Sequence, residues 1–161
     1  MKNEFIPVNT PSLNGNELKY LTECINSGWI SPEGPFVHKF EQKMAKEVNR
    51  NYGISVSNGT AALDIAVAAL DIGEGDEVIM PTFTIISCAA AIVKSGAKPV
   101  LVDTVPKTLS MNLDQIKDKI SSRTKAIMIV HIYGLPVDMN PILEIAKKNN
   151  LFIIEDAAEM H

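Results

Sequence analysis

The feature that most constrains the fold is an alternation of short apolar runs with helix-patterned segments, which begins at Tyr52 and continues to the end of the sequence. Each apolar run has the length of a buried strand, and each following segment carries apolar residues three and four positions apart. Parallel strands need crossover connections, which are usually helices. The alternation therefore predicts a layered α/β domain built on a mostly parallel sheet.

Five stretches predict strands, and the segments between them predict helices. The predicted strands are 54–57, 77–81, 99–103, 125–131 and 151–156. Asn112 and Asp138 are suited to cap two of the helices, and Gln115 stands where it would complete a capping box with Asn112.

Residues 1–51 precede this alternation and predict two helices joined by an irregular loop. Asn14 can cap the first helix, and Pro35 suits the first position of the second. The loop at 29–35 is too rich in Pro and Gly for regular structure, and it holds the only Trp of the chain. We therefore divide the chain into an N-terminal segment, 1–51, and an α/β part, 52–161.

Composition argues against several classes of partner. The 161 residues carry a formal net charge of -4 and no basic tract, so we expect no nucleic-acid partner. The longest apolar stretch, 85–93, is far shorter than the roughly 20 residues of a membrane helix, and the first residues are not apolar. We expect no membrane partner and a cytoplasmic location. Cys24 and Cys88 are isolated, without metal-ligand or redox spacing, so we expect no metal site and interpret both as small buried hydrophobic residues without chemistry.

The last predicted strand runs from four apolar residues into Glu155 and Asp156. Ligands of open α/β sheets bind at the carboxyl ends of the strands. A carboxylate at the rim of a core is costly unless it meets a positive charge or several donors. A ligand cation, a helix amino terminus and a neighbouring Lys or Arg are alternative partners for Asp156. Since adjacent strand residues point to opposite faces, the two carboxylates do not form an acid/base couple.

Residues 57–60 (Ser-Asn-Gly-Thr) lie where the first predicted strand turns into a helix. The free amides of the first helical turn and the Thr60 hydroxyl can face an anion, and Gly59 allows close approach. An ordinary N-cap followed by a glycine turn is the alternative. The sequence matches neither a Walker loop nor a dinucleotide fingerprint, which argues against a nucleotide cofactor.

Further residues at the same sheet edge have both a functional and a structural interpretation. Phe83 or Ile85 can lie against a flat ring, or either can belong to the core. His131 and Tyr133 can supply polar groups to a site, or His131 can be a satisfied structural histidine. An anion cradle, a flat apolar contact and a carboxylate together suit a phosphorylated aromatic cation. Pyridoxal phosphate fits, because a carboxylate beside its ring nitrogen keeps that nitrogen protonated.

Motifs along nearly the whole chain resemble one family, the sugar-nucleotide aminotransferases among fold-type-I pyridoxal phosphate enzymes. The matching segments are 28–37, 57–63, 75–84, 96–103, 123–127, 131–134 and 154–159. Many relatives carry Gln at the position of Glu159, and the Glu found here is similar to the perosamine synthase branch of the family. The resemblance implies a three-layer α/β/α fold, with this chain forming the N-terminal part of the large domain.

The resemblance also implies roles for individual residues. Gly59 and Thr60 would bind the cofactor phosphate, Asp156 would pair with the pyridine nitrogen, and Glu159 would lie near the ring hydroxyl. Phe83 or Ile85 would contact the ring, although many relatives have an aromatic residue at the second of these positions. Residues of the 29–35 loop would lie near the sugar nucleotide; they are Trp29, Ser31 and Gly34.

For the reaction, the resemblance implies transfer of an amino group, with glutamate as donor, to a nucleotide-linked 4-keto-6-deoxy sugar, within a homodimer that serves O-antigen synthesis. Family members are longer, and their Schiff-base lysine would lie beyond His161. We therefore expect 52–161 to be an incomplete cofactor-binding domain and the chain alone to be inactive. A pyridoxal phosphate-dependent sugar dehydratase and a noncatalytic binding or assembly domain are the alternatives.

Overall fold

The computed structural model describes residues 5–7 and 10–160, which fall into two compact units divided between Ser55 and Val56. Residues 1–4, 8, 9 and 161 lie outside the described residues, although the predicted divisions 1–51 and 52–161 include them. The functional roles predicted for those two divisions stay predictions.

The N-terminal unit contains two helices, α1 (Glu17–Ser27) and α2 (Pro35–Glu47). The prediction that Asn14 caps α1 was wrong, because Asn16 occupies the cap position. The Asn14 side chain donates instead to a serine hydroxyl two residues upstream, 3.3 Å away. Helix α2 begins at its predicted proline, whose missing N–H costs nothing in a first turn.

The second unit alternates helices and strands, and its described residues form one four-stranded sheet. Its elements are α3 (Gly59–Ala69), β1 (Glu77–Pro81), α4 (Ile86–Lys94), β2 (Lys98–Val102), α5 (Leu113–Lys119), β3 (Thr124–Val130), a 3-10 turn (Ile132–Gly134), α6 (Met139–Asn149) and β4 (Phe152–Asp156). The strand order is β2-β1-β3-β4, and all three pairings are parallel. Four of the five predicted strands therefore form. No helix in the described ranges combines the length and the apolar character that a membrane crossing requires.

The predicted strand at 54–57 was wrong. A strand is stabilised by ladder hydrogen bonds to a neighbour, and this segment joins neither edge of the described sheet. The Ile54 side chain is accordingly 76% exposed. The segment is held by Glu41, whose carboxylate accepts hydrogen bonds from the Ser55 amide and hydroxyl at 2.9 and 2.8 Å. These bonds hold the pKa of Glu41 below its usual value.

Successive strand residues face two separate helical layers. On one face of the sheet, Val78 and Met128 pack with α3 and α4 in one buried cluster. On the other face, Ile79, Ile127 and Ile129 pack with residues of α5 and α6 in a second cluster. All five side chains are fully buried, each contributing roughly 1.5–3 kcal/mol of transfer free energy. The predicted three-layer α/β/α architecture is confirmed.

The two helix caps predicted in the α/β part form, at Asn112 and Asp138, but the capping box does not. The Asp138 side chain caps α6, and the Asn112 side chain accepts from the amides of the first turn of α5 at 3.0 and 3.2 Å. The capping box also requires the Gln115 side chain to reach back to Asn112, and this part of the prediction was wrong. The side-chain oxygen of Gln115 accepts from the amide of Asp103, 2.9 Å away, which gives a partner to the first amide after β2.

Candidate active site at the carboxyl end of the sheet

The carboxyl ends of β1, β3 and β4 border a cleft with a volume of about 400 Å³. That volume lies within the range of roughly 300–1,000 Å³ typical of small-molecule sites. Six residues that the sequence singled out line this one cleft: Phe83, Ile85, His131, Tyr133, Asp156 and Glu159. The topology explains this convergence, because parallel strands deliver their following residues to the same edge.

Asp156 is the last residue of β4 and is half-buried in the cleft wall. Its Oδ1 accepts from the amide of Ala158 at 3.1 Å, and its Oδ2 accepts from the thiol of Cys88 at 3.3 Å. No Lys or Arg within 5–7 or 10–160 forms an ion pair with it. A carboxylate offers about four lone-pair sites, so Asp156 retains acceptor capacity beyond these two donors.

Glu155 points to the opposite face of β4, as predicted from strand geometry. Its carboxylate lies 2.9 Å from Nε2 of His131, a residue that is only 2% exposed. The other ring nitrogen of His131 accepts from the amide of Val137 at 3.0 Å. Since Nδ1 accepts, Nε2 carries the proton and donates it to Glu155. Of the two interpretations of His131, the contacts favour the satisfied structural histidine.

Glu159 holds the turn that carries Tyr133 into the cleft. Its carboxylate accepts from the Tyr133 amide, and Tyr133 has the left-handed backbone conformation, with φ of 53°. The Tyr133 ring meets the ring of Phe83 edge-on, with centroids 6.1 Å apart and planes inclined at 61°. The cleft therefore has an aromatic wall.

Gly59 and Thr60 begin α3, whose N-cap is Asn58 through a 2.9 Å bond from the amide of Ala61. Neither Gly59 nor Thr60 lines the cleft directly. The Thr60 hydroxyl lies 3.0 Å from the hydroxyl of Ser87, in the first turn of α4. The next residue of α4 is the cysteine that contacts Asp156, so this turn connects the start of α3 to the cleft.

The loop residues Trp29, Ser31 and Gly34 belong to the N-terminal unit. Trp29 is half exposed, and Gly34 is buried, with its amide donating to the carbonyl of Ser31 at 3.3 Å. Their predicted contact with a sugar nucleotide stays a prediction.

Sequence reasoning missed a polar chain behind Asp156. The Thr84 hydroxyl donates to Sγ of Cys88 at 3.3 Å, and the thiol in turn donates to Asp156. Cys88 is completely buried as predicted, and this burial raises the pKa of its thiol to about 11. Thr84 and Cys88 lie four positions apart at a strand-to-helix junction, which was a signal for their mutual contact, whereas no local pattern indicated the contact of Cys88 with Asp156.

A carboxylate-bearing cleft at the carboxyl edge of a parallel α/β sheet is typical of cofactor-binding domains. Residues 11–161 match the DegT/DnrJ/EryC1/StrS aminotransferase family, and the chain belongs to that family. This confirms the resemblance seen in the sequence.

Individual relatives agree with the family assignment. The chain is 51% identical over 156 residues to GDP-perosamine synthase of Escherichia coli O157:H7, covering 97% of this chain and 43% of that protein. An aminotransferase from Psychrobacter cryohalolentis superposes with a TM-score of 0.85 at 37% identity, covering 94% and 38% of the two chains. NtdA of Bacillus subtilis with bound cofactor PMP gives 0.82 at 36% identity, covering 89% and 34%. The chain thus spans about two fifths of the length of such relatives.

Proposed function

We propose that this protein acts in pyridoxal phosphate-dependent amino-group transfer and that the cleft forms part of its cofactor site. The observation that best supports this is the environment of Asp156, a half-buried carboxylate in an aromatic-walled cleft with spare acceptor capacity. Membership of an aminotransferase family and the bound PMP of NtdA point in the same direction.

The residues of the cleft fit such a cofactor. The volume of about 400 Å³ accommodates a substituted aromatic ring, and Phe83, Ile85 and Tyr133 supply apolar surface for it. A protonated pyridine nitrogen would be the cation that Asp156 does not find among the described Lys and Arg residues. When bound, the cofactor supplies an electron sink for chemistry at the amino-bearing carbon.

Each predicted residue then has a task. Asp156 would hold a proton on the ring nitrogen, and Glu159 would lie near the ring hydroxyl. Gly59 and Thr60 bind the phosphate, because the first amides of α3 have no intrahelical partners and the helix dipole favours an anion. Phe83 or Ile85 excludes water from a ring face.

For the substrates, we propose a nucleotide-linked 4-keto-6-deoxy sugar as acceptor and glutamate as donor, in line with the perosamine synthase relative. Trp29, Ser31 and Gly34 would contact the sugar nucleotide. A homodimer, a cytoplasmic location and a product used in O-antigen synthesis belong to the same proposal. Because the chain spans about two fifths of its relatives, we further propose that the Schiff-base lysine lies outside residues 1–161.

Calorimetric titration with pyridoxamine phosphate tests the proposal. This compound carries the ring and the phosphate but forms no Schiff base with lysines, so the titration reads noncovalent binding alone. Asp156→Asn should weaken binding about 10- to 100-fold, the value of a hydrogen bond between charged groups. Glu155→Gln is the matched control, since Glu155 contacts His131 on the opposite face, and should leave the affinity unchanged. Equal affinities of the wild type and Asp156→Asn would refute the proposal.

A further inference from the structure

The thiol of Cys88 approaches Asp156 from α4, the helix that packs over one face of the sheet. Cys88 has no exposed surface, and its Sγ lies 3.3 Å from Oδ2 of Asp156. The Thr84 hydroxyl, from the segment just before α4, lies 3.3 Å from the same sulfur. Residues 68 positions apart in the chain are therefore joined by one partly buried polar contact.

The order of donors along this chain of contacts follows from the chemistry of each group. An ionised carboxylate only accepts hydrogen bonds, so the thiol must donate its proton to Asp156. Sγ then accepts from Thr84, which directs the S–H bond away from the threonine and toward Oδ2. Because burial keeps the thiol protonated, Cys88 is a donor here and not a nucleophile.

Both carboxylate oxygens of Asp156 thus accept a hydrogen bond from the protein. Oδ2 receives the thiol proton, and Oδ1 receives the amide proton of Ala158 at 3.1 Å. Two hydrogen bonds from the protein restrict the rotamers of this side chain before any ligand arrives. A ligand that binds a fixed carboxylate does not bear that ordering cost.

We propose that Cys88, oriented by Thr84, is a positioning residue that fixes the Asp156 carboxylate for the cofactor ring nitrogen. This inference rests on the proposed function, in which Asp156 pairs with that nitrogen. The thiol acts only through Asp156 and touches no reacting atom.

Infrared spectroscopy reads the contact directly and needs no cofactor. The chain has two cysteines, so a Cys24→Ser background leaves Cys88 as the single thiol. Donation weakens the S–H bond, so its stretching band should lie below that of a solvated thiol and rise in Asp156→Ala. Glu155→Ala, on the opposite face, should leave the band in place. A band that Asp156→Ala does not move overturns the inference.

Affinity for pyridoxamine phosphate separates hydrogen bonding from packing. Cys88→Ala and Cys88→Val both remove the hydrogen-bond donor, but only valine fills the volume of the lost side chain. Both variants should bind pyridoxamine phosphate about 2- to 10-fold more weakly. Cys88→Ser keeps a donor and should restore the affinity. If Ser and Val bind equally, Cys88 only packs and the inference fails. If Cys88→Val does not fold, Thr84→Val provides the second test. It removes the hydrogen bond to the sulfur, so it should move the S–H band and weaken the binding of pyridoxamine phosphate.

The two proposals can fail separately. Binding of pyridoxamine phosphate that depends on Asp156 but not on Cys88 overturns the positioning role and leaves the proposed function standing. An S–H band that depends on Asp156, without any binding of pyridoxamine phosphate, overturns the proposed function and, with it, any role of Cys88 toward a cofactor.

Discussion

The His131 imidazole and the Glu155 carboxylate form a 2.9 Å hydrogen bond on the face of β4 opposite Asp156. The same imidazole accepts a hydrogen bond from the amide of Val137. It therefore connects the end of β3 both to β4 and to the loop before α6. Adjacent acidic residues therefore have separate tasks, with Glu155 stabilising the sheet edge and Asp156 facing the cleft.

His131→Ala tests the stabilising task. The change leaves the Val137 amide without its acceptor and creates a cavity, so the free energy of unfolding should fall by about 2–4 kcal/mol. Urea unfolding followed by circular dichroism measures it. His38→Ala is the matched control, because the His38 side chain is mostly exposed, and it should change stability by less than about 0.5 kcal/mol. Equal effects of the two substitutions would exclude a stabilising role for His131.

The raised pKa of Cys88 predicts a loss of stability at alkaline pH. The thiol titrates near its ordinary value of 9.0 when unfolded and near 11 when folded, so the folded state binds the proton more tightly. Its contribution is complete below pH 9 and disappears as the pH rises to about 11. A difference of about two pKa units corresponds to at most roughly 3 kcal/mol.

The measurement is urea unfolding between pH 7 and 11, with the wild type compared with Cys88→Ser. A hydroxyl does not titrate in this range, so the variant should lose less stability as the pH rises. Parallel pH profiles would show that burial does not raise the thiol pKa.

The lowered pKa of Glu77 predicts a loss of stability at acid pH. It is buried at the start of β1, and hydrogen bonds from Ser121 and then Arg123, at 2.6 Å each, hold its pKa below the ordinary value of 4.5. Its contribution is present above pH 4.5 and is lost as the pH falls through the folded-state pKa. Glu77→Gln should therefore cost about 1–3 kcal/mol at pH 7 and progressively less in acid.

Exposed Glu144, changed to Gln, is the control for Glu77 and should have little effect at any pH. Chemical denaturation at pH 7 and at pH 3 measures both variants. A Glu77→Gln deficit that persists unchanged in acid would show that its charge is not the cause.

The exposed apolar face of α1 predicts self-association of the chain. None of its residues is buried, and Leu18, Leu21 and Ile25 are 78%, 65% and 71% exposed along one face. Leu21→Glu should reduce the associated fraction in sedimentation velocity, whereas Thr22→Glu places the same charge beside that face and should not. A wild type that is strictly monomeric at high concentration would contradict this prediction.

The sequence predicted the features that depend on local pattern. Helix caps at Asn112 and Asp138 formed because a short polar side chain can satisfy the amides of a first turn. The strand ending at Asp156 formed because an apolar run with β-branched residues favours a strand. It was predicted to be buried on both faces, and that was wrong, because β4 is an edge strand of the described sheet and Phe152 is 49% exposed. Topology then brought Phe83 and Asp156 to one cleft.

The features that failed depend on partners that local pattern does not reveal. The segment at 54–57 has strand composition, but composition does not tell whether a pairing edge is present. Asn14 and Asn16 are equally good capping residues, so the sequence could not choose between them. The thiol contact of Cys88 depends on how α4 lies against β4, which no spacing within either element encodes.

The central claim, that Asp156 keeps a cofactor ring nitrogen protonated, is tested most directly by nitrogen NMR of pyridoxamine phosphate labelled at that nitrogen. The spectrum is taken with the compound bound to the protein, at a pH above the ring-nitrogen pKa of the free compound. A protonated nitrogen in the wild type and an unprotonated one in Asp156→Ala is the predicted result. An unprotonated nitrogen in the bound wild type would contradict the account.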